Sequence, residues 1–296
     1  MTTLHWDVLQ IYFVFMVIAT VLAFARRWLR PHGSGESVWR KYPLYIFINL
    51  CFLAAGWLPS HWHVLTVLLA LLGALAAWEI AKALISSALL FVFPLLTLIL
   101  ITLVDVLAIN LWLKLWLAII LLVAAFGTLT RKPAEYPAFA FAAIGCVVFF
   151  PMCIAAFLWV HQSDTSGFLV AFLYLVIATN DALAQITGQA FGRKQLTPHV
   201  SPGKTVEGAL GGLFFAGAMG AALSHTVEMT YMTGGMIALT IGFAGLVGDL
   251  TASMWKRVLG IKNYSALLGA QGGVMDRFDG LIFAAPVFYL LLTLAF

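Results

Sequence analysis

Asp249, Lys256, Arg257, Lys262, Asp276, Arg277 and Asp279 fall within one short stretch of a 296-residue chain in which only 9% of residues are charged. Acids beside bases suit a definite chemistry. Carboxylates hold a divalent metal, and the metal and the bases together grip phosphate oxygens. Gly245, Asp249, Ser253 and Lys256 follow i, i+4, i+8 and i+11, so a helix would carry them on one face. Gly272 and Gly273 precede Asp276 and would let backbone N–H groups approach a ligand. A positively charged loop would account for Lys256, Arg257 and Lys262, but it gives the three acids no task.

The elements that must position these residues are membrane helices. Hydrophobic residues make up 63% of the chain, against about 45–50% in soluble domains. Apolar runs long enough to span a ~30 Å hydrocarbon layer recur throughout. The sequence therefore reads as an all-α polytopic integral membrane protein of about ten transmembrane helices, forming a single transmembrane domain over residues 1–296. The spans are placed near 8–25, 43–59, 63–81, 87–104, 110–127, 138–160, 167–190, 209–226, 235–255 and 280–296. The first run is followed, not preceded, by basic residues (Arg26, Arg27, Arg30), so it is read as a retained span and not a signal peptide. Cys51, Cys146 and Cys153 lie inside spans and read as packing residues.

With ten spans, every loop rich in Lys and Arg falls on one side, and only Lys114 is misplaced. The positive-inside rule makes that side cytoplasmic and puts both termini outside. The net charge of +4 is then a topology signal, with no nucleic-acid partner implied.

On this frame Asp249 lies roughly 12 Å below Arg257, within hydrocarbon. An isolated charge there costs about 2.5–3.5 kcal/mol, so a partner or a wet cavity is expected. Gly242, Gly245 and Gly248 would admit a neighbouring backbone. Asp181 is a second intramembrane acid, with Gln185, Gly188 and Gln189 on its helical face; with Asn180 it could equally be polar glue between helices. Gly203-Lys204-Thr205 invites a P-loop reading, but the glycine required five residues earlier is Pro198. Lys204 and Ser201 remain as polar groups of a loop ahead of the Gly208/Gly212 pair, which reads as helix packing. His199 reads as a solvated loop residue.

Together these residues resemble the phosphatidate cytidylyltransferase (CDP-diacylglycerol synthase) family. Its signature, S-x-x-K-R-x4-K-D followed by H-G-G-x-x-D-R-x-D, is matched in spacing by Ser253, Lys256, Arg257, Lys262 and Asn263, then Gln271, Gly272, Gly273, Asp276, Arg277 and Asp279. The segments Asn180–Lys194 and Val200–Gly208 are similar to preceding family elements, and Glu79 to an acidic position in the N-terminal half. Specific likeness, and hence the catalytic part, covers about residues 176–280.

The resemblance implies condensation of CTP with phosphatidate, or a related lipid phosphate, to CDP-diacylglycerol and pyrophosphate. It implies Asp249, Asp276, Lys256, Arg257 and Ser253 as catalytic residues, with Asp249 and Asp276 binding Mg2+ and a second cation compatible with them. Lys204, Arg277, Ser201, Gln271, Gly272 and Gly273 would bind substrate phosphate, and Asp181, Lys262 and Asp279 would complete the site. A homodimer in the bacterial inner membrane, its active site facing the cytoplasm, is the implied setting. Gln271, Asn263 and Trp255 depart from the family's His, Asp and aliphatic positions. They leave open a divergent paralogue with another lipid phosphate or nucleotide, or a catalytically idle membrane partner. A transporter is disfavoured, because the polar features crowd into one third of the chain. Topology is directly testable: reporter tags at both termini should score extracytoplasmic, and reporters in the 192–207 and 257–275 loops cytoplasmic. A cytoplasmic C-terminal tag would require an odd number of crossings.

Overall fold

The computed structural model describes residues 2–29, 36–58, 63–84, 91–107, 109–130, 136–163, 167–268 and 272–295. It is an all-α membrane protein. The helices are α1 (Thr2–Leu29), α2 (Glu36–Trp57), α3 (Val64–Leu84), α4 (Val92–Val106), α5 (Ile109–Thr130), α6 (Tyr136–Ala143), α7 (Phe150–Ser163), α8 (Phe168–Phe191), α9 (Val206–Leu223), α10 (Tyr231–Val258) and α11 (Met275–Ala295). A π-helical segment, Ile144–Phe149, joins α6 to α7 without a break. Among the described residues six helical stretches are long and apolar enough to cross a membrane: Val64–Leu84, Pro137–Gln162, Phe168–Phe191, Val206–Val227, Tyr231–Val258 and Met275–Leu294. His5–Val21, Ile46–Trp57 and Val92–Val104 are shorter apolar helices.

α8 is the axis of the bundle. Every side chain from Val170 to Asn180 is buried, as expected of a helix apolar on all faces. α1, α2, α9, α10 and α11 pack around it. Phe172 stacks on Phe288 of α11 with centroids 5.7 Å apart, and Tyr174 on Phe52 of α2 at 4.6 Å. The Tyr174 hydroxyl donates to Asn49 Oδ1 (2.8 Å), whose Nδ2 donates to the Tyr12 hydroxyl (3.1 Å), so a buried polar chain joins α8, α2 and α1. The π segment has a partner for a displaced carbonyl: Cys146 O accepts from the Thr97 hydroxyl of α4 at 2.7 Å. Cys146 and Cys153 are buried free thiols within this packing.

Glycines set the crossings nearest the charged residues. A Cβ on Gly248 would lie 2.7 Å from Phe283 Cβ and 2.8 Å from Asp279 O, so α10 and α11 meet nearly backbone to backbone. A Cβ on Gly208 would lie 2.7 Å from Ala184 O, and one on Gly212 2.7 Å from Asn180 O, which makes the pair a packing motif between α9 and α8.

Between α8 and α9 the chain forms an antiparallel hairpin, β1 (Gln195–Thr197) and β2 (Ser201–Thr205), where the sequence reading has only a loop. Its ends are fixed locally. Thr205 caps α9 by accepting from Gly208 N at 3.1 Å, and Glu207 accepts from Arg193 N at 2.9 Å. Overpacking a tight crossing costs about 1–3 kcal/mol. Gly248→Ala should therefore lower the apparent Tm of detergent-purified protein by about 2–10 °C. Gly203→Ala, whose Cβ would meet nothing within 4 Å, should leave it unchanged. Equal melting curves for the two variants would refute the close approach.

Candidate active site

The polar face of α10 forms as its spacing predicts. Asp249 is part-exposed, and one turn and two turns further on Ser253 and Lys256 are buried, at 7% and 9% exposure. Each charged member of this face has a partner from another element. Lys204 of β2 makes an ion pair with Asp249. Lys256 Nζ donates to Asp276 Oδ1 of α11 at 2.7 Å, with both side chains almost fully buried.

Asp276 also organises the chain between α10 and α11. Its Oδ2 accepts from Tyr264 N (3.0 Å) and Gly273 N (2.8 Å). Gly272 has φ +85°, a left-handed conformation that favours glycine. Gly273 N–H is therefore spent on Asp276, and a Cβ at Gly273 would collide with the Glu79 carboxylate of α3. The glycine pair serves this internal packing, whereas the spacing alone pointed to a ligand. Lys256 also lies over the Tyr264 ring, 5.7 Å from its centroid. Burial, joined by the charges of Asp276, Asp279 and Glu79, pushes the Tyr264 phenol above its ordinary range, so it stays protonated.

A cavity of about 460 Å³ opens among α1, α8, α9, α10, α11 and the hairpin. Its charged wall consists of Asp181, Asp249, Asp276, Asp279, Lys204 and Arg277, with Gln185 and Gln189 beside Asp181. Asp181, Asp249 and Asp279 are close enough for their charges to act on one another. Met16, Ala19, Ile186 and Leu246 make an apolar flank. The volume lies in the range of about 300–1,000 Å³ usual for small-molecule sites.

Not every expected residue reaches this wall. Arg257 is exposed and donates from Nε to Val200 O (2.9 Å) and from Nη1 to Ile261 O (3.3 Å), pinning the hairpin to the end of α10. Ser253 is buried in α10, and Lys256 touches the cavity only through Asp276. Ser201 sits in the hairpin opposite Thr197, and Lys262 is exposed. Gln271 lies outside the described residues. Two departures from the family pattern stand away from the wall: Trp255 packs edge-on against Phe141 and Phe149 (5.0 and 5.7 Å), and Asn263 is exposed. Asn180 does act as glue, donating to Gly242 O at 3.4 Å, but its neighbour Asp181 faces the cavity.

Acids outnumber cations on the wall, so an anionic ligand needs added positive charge, and a hard divalent cation suits carboxylate donors. Among the described residues no three His, Cys, Asp or Glu side chains converge to cage a metal alone. Mg2+ held by one or two carboxylates plus substrate phosphates is compatible with that wall. A carboxylate offers about four lone-pair sites, and the three hydrogen bonds to Asp276 leave it room for such a bond.

The model of the cytidylyltransferase family matches residues 39–295, nearly the whole chain. The chain belongs to the cytidylyltransferase family. Among its relatives is the phosphatidate cytidylyltransferase of Aquifex aeolicus, 38% identical over 147 residues, covering 49% of this chain and 55% of that protein. The phosphatidate cytidylyltransferase of Pseudomonas aeruginosa is 40% identical over 135 residues, 44% of this chain and 49% of that protein. Uncharacterized protein YnbB of Escherichia coli is 38% identical over 125 residues, 41% of either chain. The chain thus spans about half the length of these relatives.

In this member of the family the Lys256–Asp276 pair is testable by itself. Removing one partner of a buried pair typically costs about 3–5 kcal/mol, because a charge is left uncompensated. Lys256→Met and Asp276→Asn should each lower the apparent Tm, and the double variant should lose clearly less than the two combined. Additive losses in this thermal double-mutant cycle would show that the two side chains act independently.

Proposed function

We propose that this chain condenses CTP with phosphatidate, giving CDP-diacylglycerol and pyrophosphate, at the cytoplasmic face of a bacterial inner membrane. The observation that carries the reading is the cavity in which Lys204 and Arg277 stand among Asp181, Asp249, Asp276 and Asp279. Support comes from the family match and from the names of the relatives.

A phosphate oxygen of the lipid attacks the α-phosphorus of CTP. A new P–O–P bridge forms, the bond from the α-phosphorus to its bridging oxygen breaks, and pyrophosphate leaves with the electron pair. Both substrates are anions, so the wall's task is to neutralise them and to hold attacking oxygen, phosphorus and leaving oxygen in line. Lys204 and Arg277 bind phosphate oxygens at the wall. Lys256 holds the Asp276 carboxylate in place from behind. Asp249 and Asp276 would hold Mg2+, which, when bound, supplies positive charge to the phosphate oxygens. The apolar flank at Met16, Ala19 and Ile186 suits the glycerolipid part of the acceptor.

The proposed frame has ten crossings with both termini outside. The approach of Asp7 Oδ2, near the start of α1, to within 3.7 Å of His225 Nε2, just after α9, supports that polarity. It puts the beginning of α1 at the end of α9 remote from the hairpin. A homodimer is the proposed assembly, by family resemblance.

The deciding measurement is transfer of label from CTP to lipid by the purified protein with phosphatidate and Mg2+. Labelled CDP-diacylglycerol should form, and EDTA should stop it. Asp249→Asn should abolish turnover in a protein that still purifies, and Lys204→Ala should lower kcat/KM by about tenfold or more. Near-normal turnover by Asp249→Asn would sink the metal assignment, and an inert wild-type protein would sink the activity.

A further inference from the structure

Among the described residues Glu79 is the most deeply buried acid outside the cavity, at 0% exposure on α3. Its helical neighbours Ala76, Ala77, Ile80 and Ala81 are buried and apolar. Its carboxylate accepts from Val274 N at 2.9 Å, from Met275 N at 3.0 Å and from the Ser265 hydroxyl. Val274 and Met275 stand at the start of α11, where helix N–H groups lack intrahelical partners and the backbone carries partial positive charge. Glu79 is thus an N-terminal cap supplied from another helix. Met275 is followed at once by Asp276 and Arg277, two residues of the cavity wall.

The arrangement is built for this acid. Gly273 has no room for a side chain because Glu79 occupies it. Ser265 extends the same grip to the loop leaving Tyr264, which Asp276 holds through its other bonds. A buried carboxylate costs several kcal/mol unless hydrogen-bonded. Capping alone is commonly done by a local Ser, Thr, Asp or Asn at far smaller desolvation cost. A distant buried Glu does something those cannot: it fixes α11 relative to α3. We infer that Glu79 is a positioning residue, locking the first turn of α11 against α3 so that Asp276 and Arg277 face the cavity. The inference deepens the cytidylyltransferase reading and rests on it for the kinetic arm of its test.

Two measurements on Glu79→Gln and Ser265→Ala decide it. By hydrogen-exchange mass spectrometry, Glu79→Gln should speed amide exchange at residues 274–276 about tenfold or more while α8 keeps its protection. In steady-state turnover it should lower kcat about 10–100-fold, the scale for loss of a group that orients a ligand. KM for CTP should stay within about threefold. Ser265→Ala leaves the carboxylate on the α11 amides and should give smaller effects in the same direction. It decides the matter if Glu79→Gln does not fold. Unchanged exchange at 274–276, or faster exchange across the whole bundle, overturns the positioning role. If the wild-type protein has no turnover, the activity reading fails while the exchange arm still tests Glu79.

Discussion

Charge withdrawn from water must be compensated by the protein, and that requirement organises this molecule. Asp249 meets Lys204 from the hairpin, and Asp276 meets Lys256 from α10. Each pair joins elements separate in sequence. The pairs therefore act as ties as well as counter-charges, and the surrounding architecture exists to let them form. The glycine crossings of α10 with α11, and of α8 with α9, bring backbones close enough for short side chains to converge. α8, buried on every face, supplies the fixed axis for that approach. A larger residue at a crossing would move an acid as well as a helix.

The site carries two kinds of polar residue, and the structure separates them. Asp181, Asp249, Asp279, Lys204 and Arg277 stand on the wall of the cavity. Arg257, Glu207 and Thr205 hold the hairpin in place through backbone groups at the ends of β1, β2 and α9. Asp276 belongs to both kinds, facing the cavity while binding Lys256 and two loop amides. Such double duty is economical in a protein interior, where each further buried charge must find its own compensation.

Much of this was legible in the sequence. The period of Gly245, Asp249, Ser253 and Lys256 placed one face of α10, and the glycine pairs marked close crossings, because both signals are local and helical. Apolar runs gave an all-α membrane protein, with six stretches meeting the length and composition of a span among the described residues. What stayed hidden depends on contacts between remote segments. Nothing in the local pattern says that Lys204 meets Asp249, or that Arg257 turns away to the carbonyl of Val200. The hairpin reads as a loop because three- and five-residue strands carry too little alternation to register. Gly272 and Gly273 stand out in the sequence, but what excludes a side chain at Gly273 is Glu79 of α3, and only the likeness of Glu79 to a family position points there.

The packing of Gly273 against Glu79 also bears on how this protein can change over generations. Any side chain at position 273 collides with a carboxylate contributed by the opposite half of the chain. A shorter residue at position 79 would open that space but leave two amides at the start of α11 without their acceptor. Neither position can drift alone. The two form an epistatic pair, so sequences descended from this one should keep Glu with Gly or replace both together.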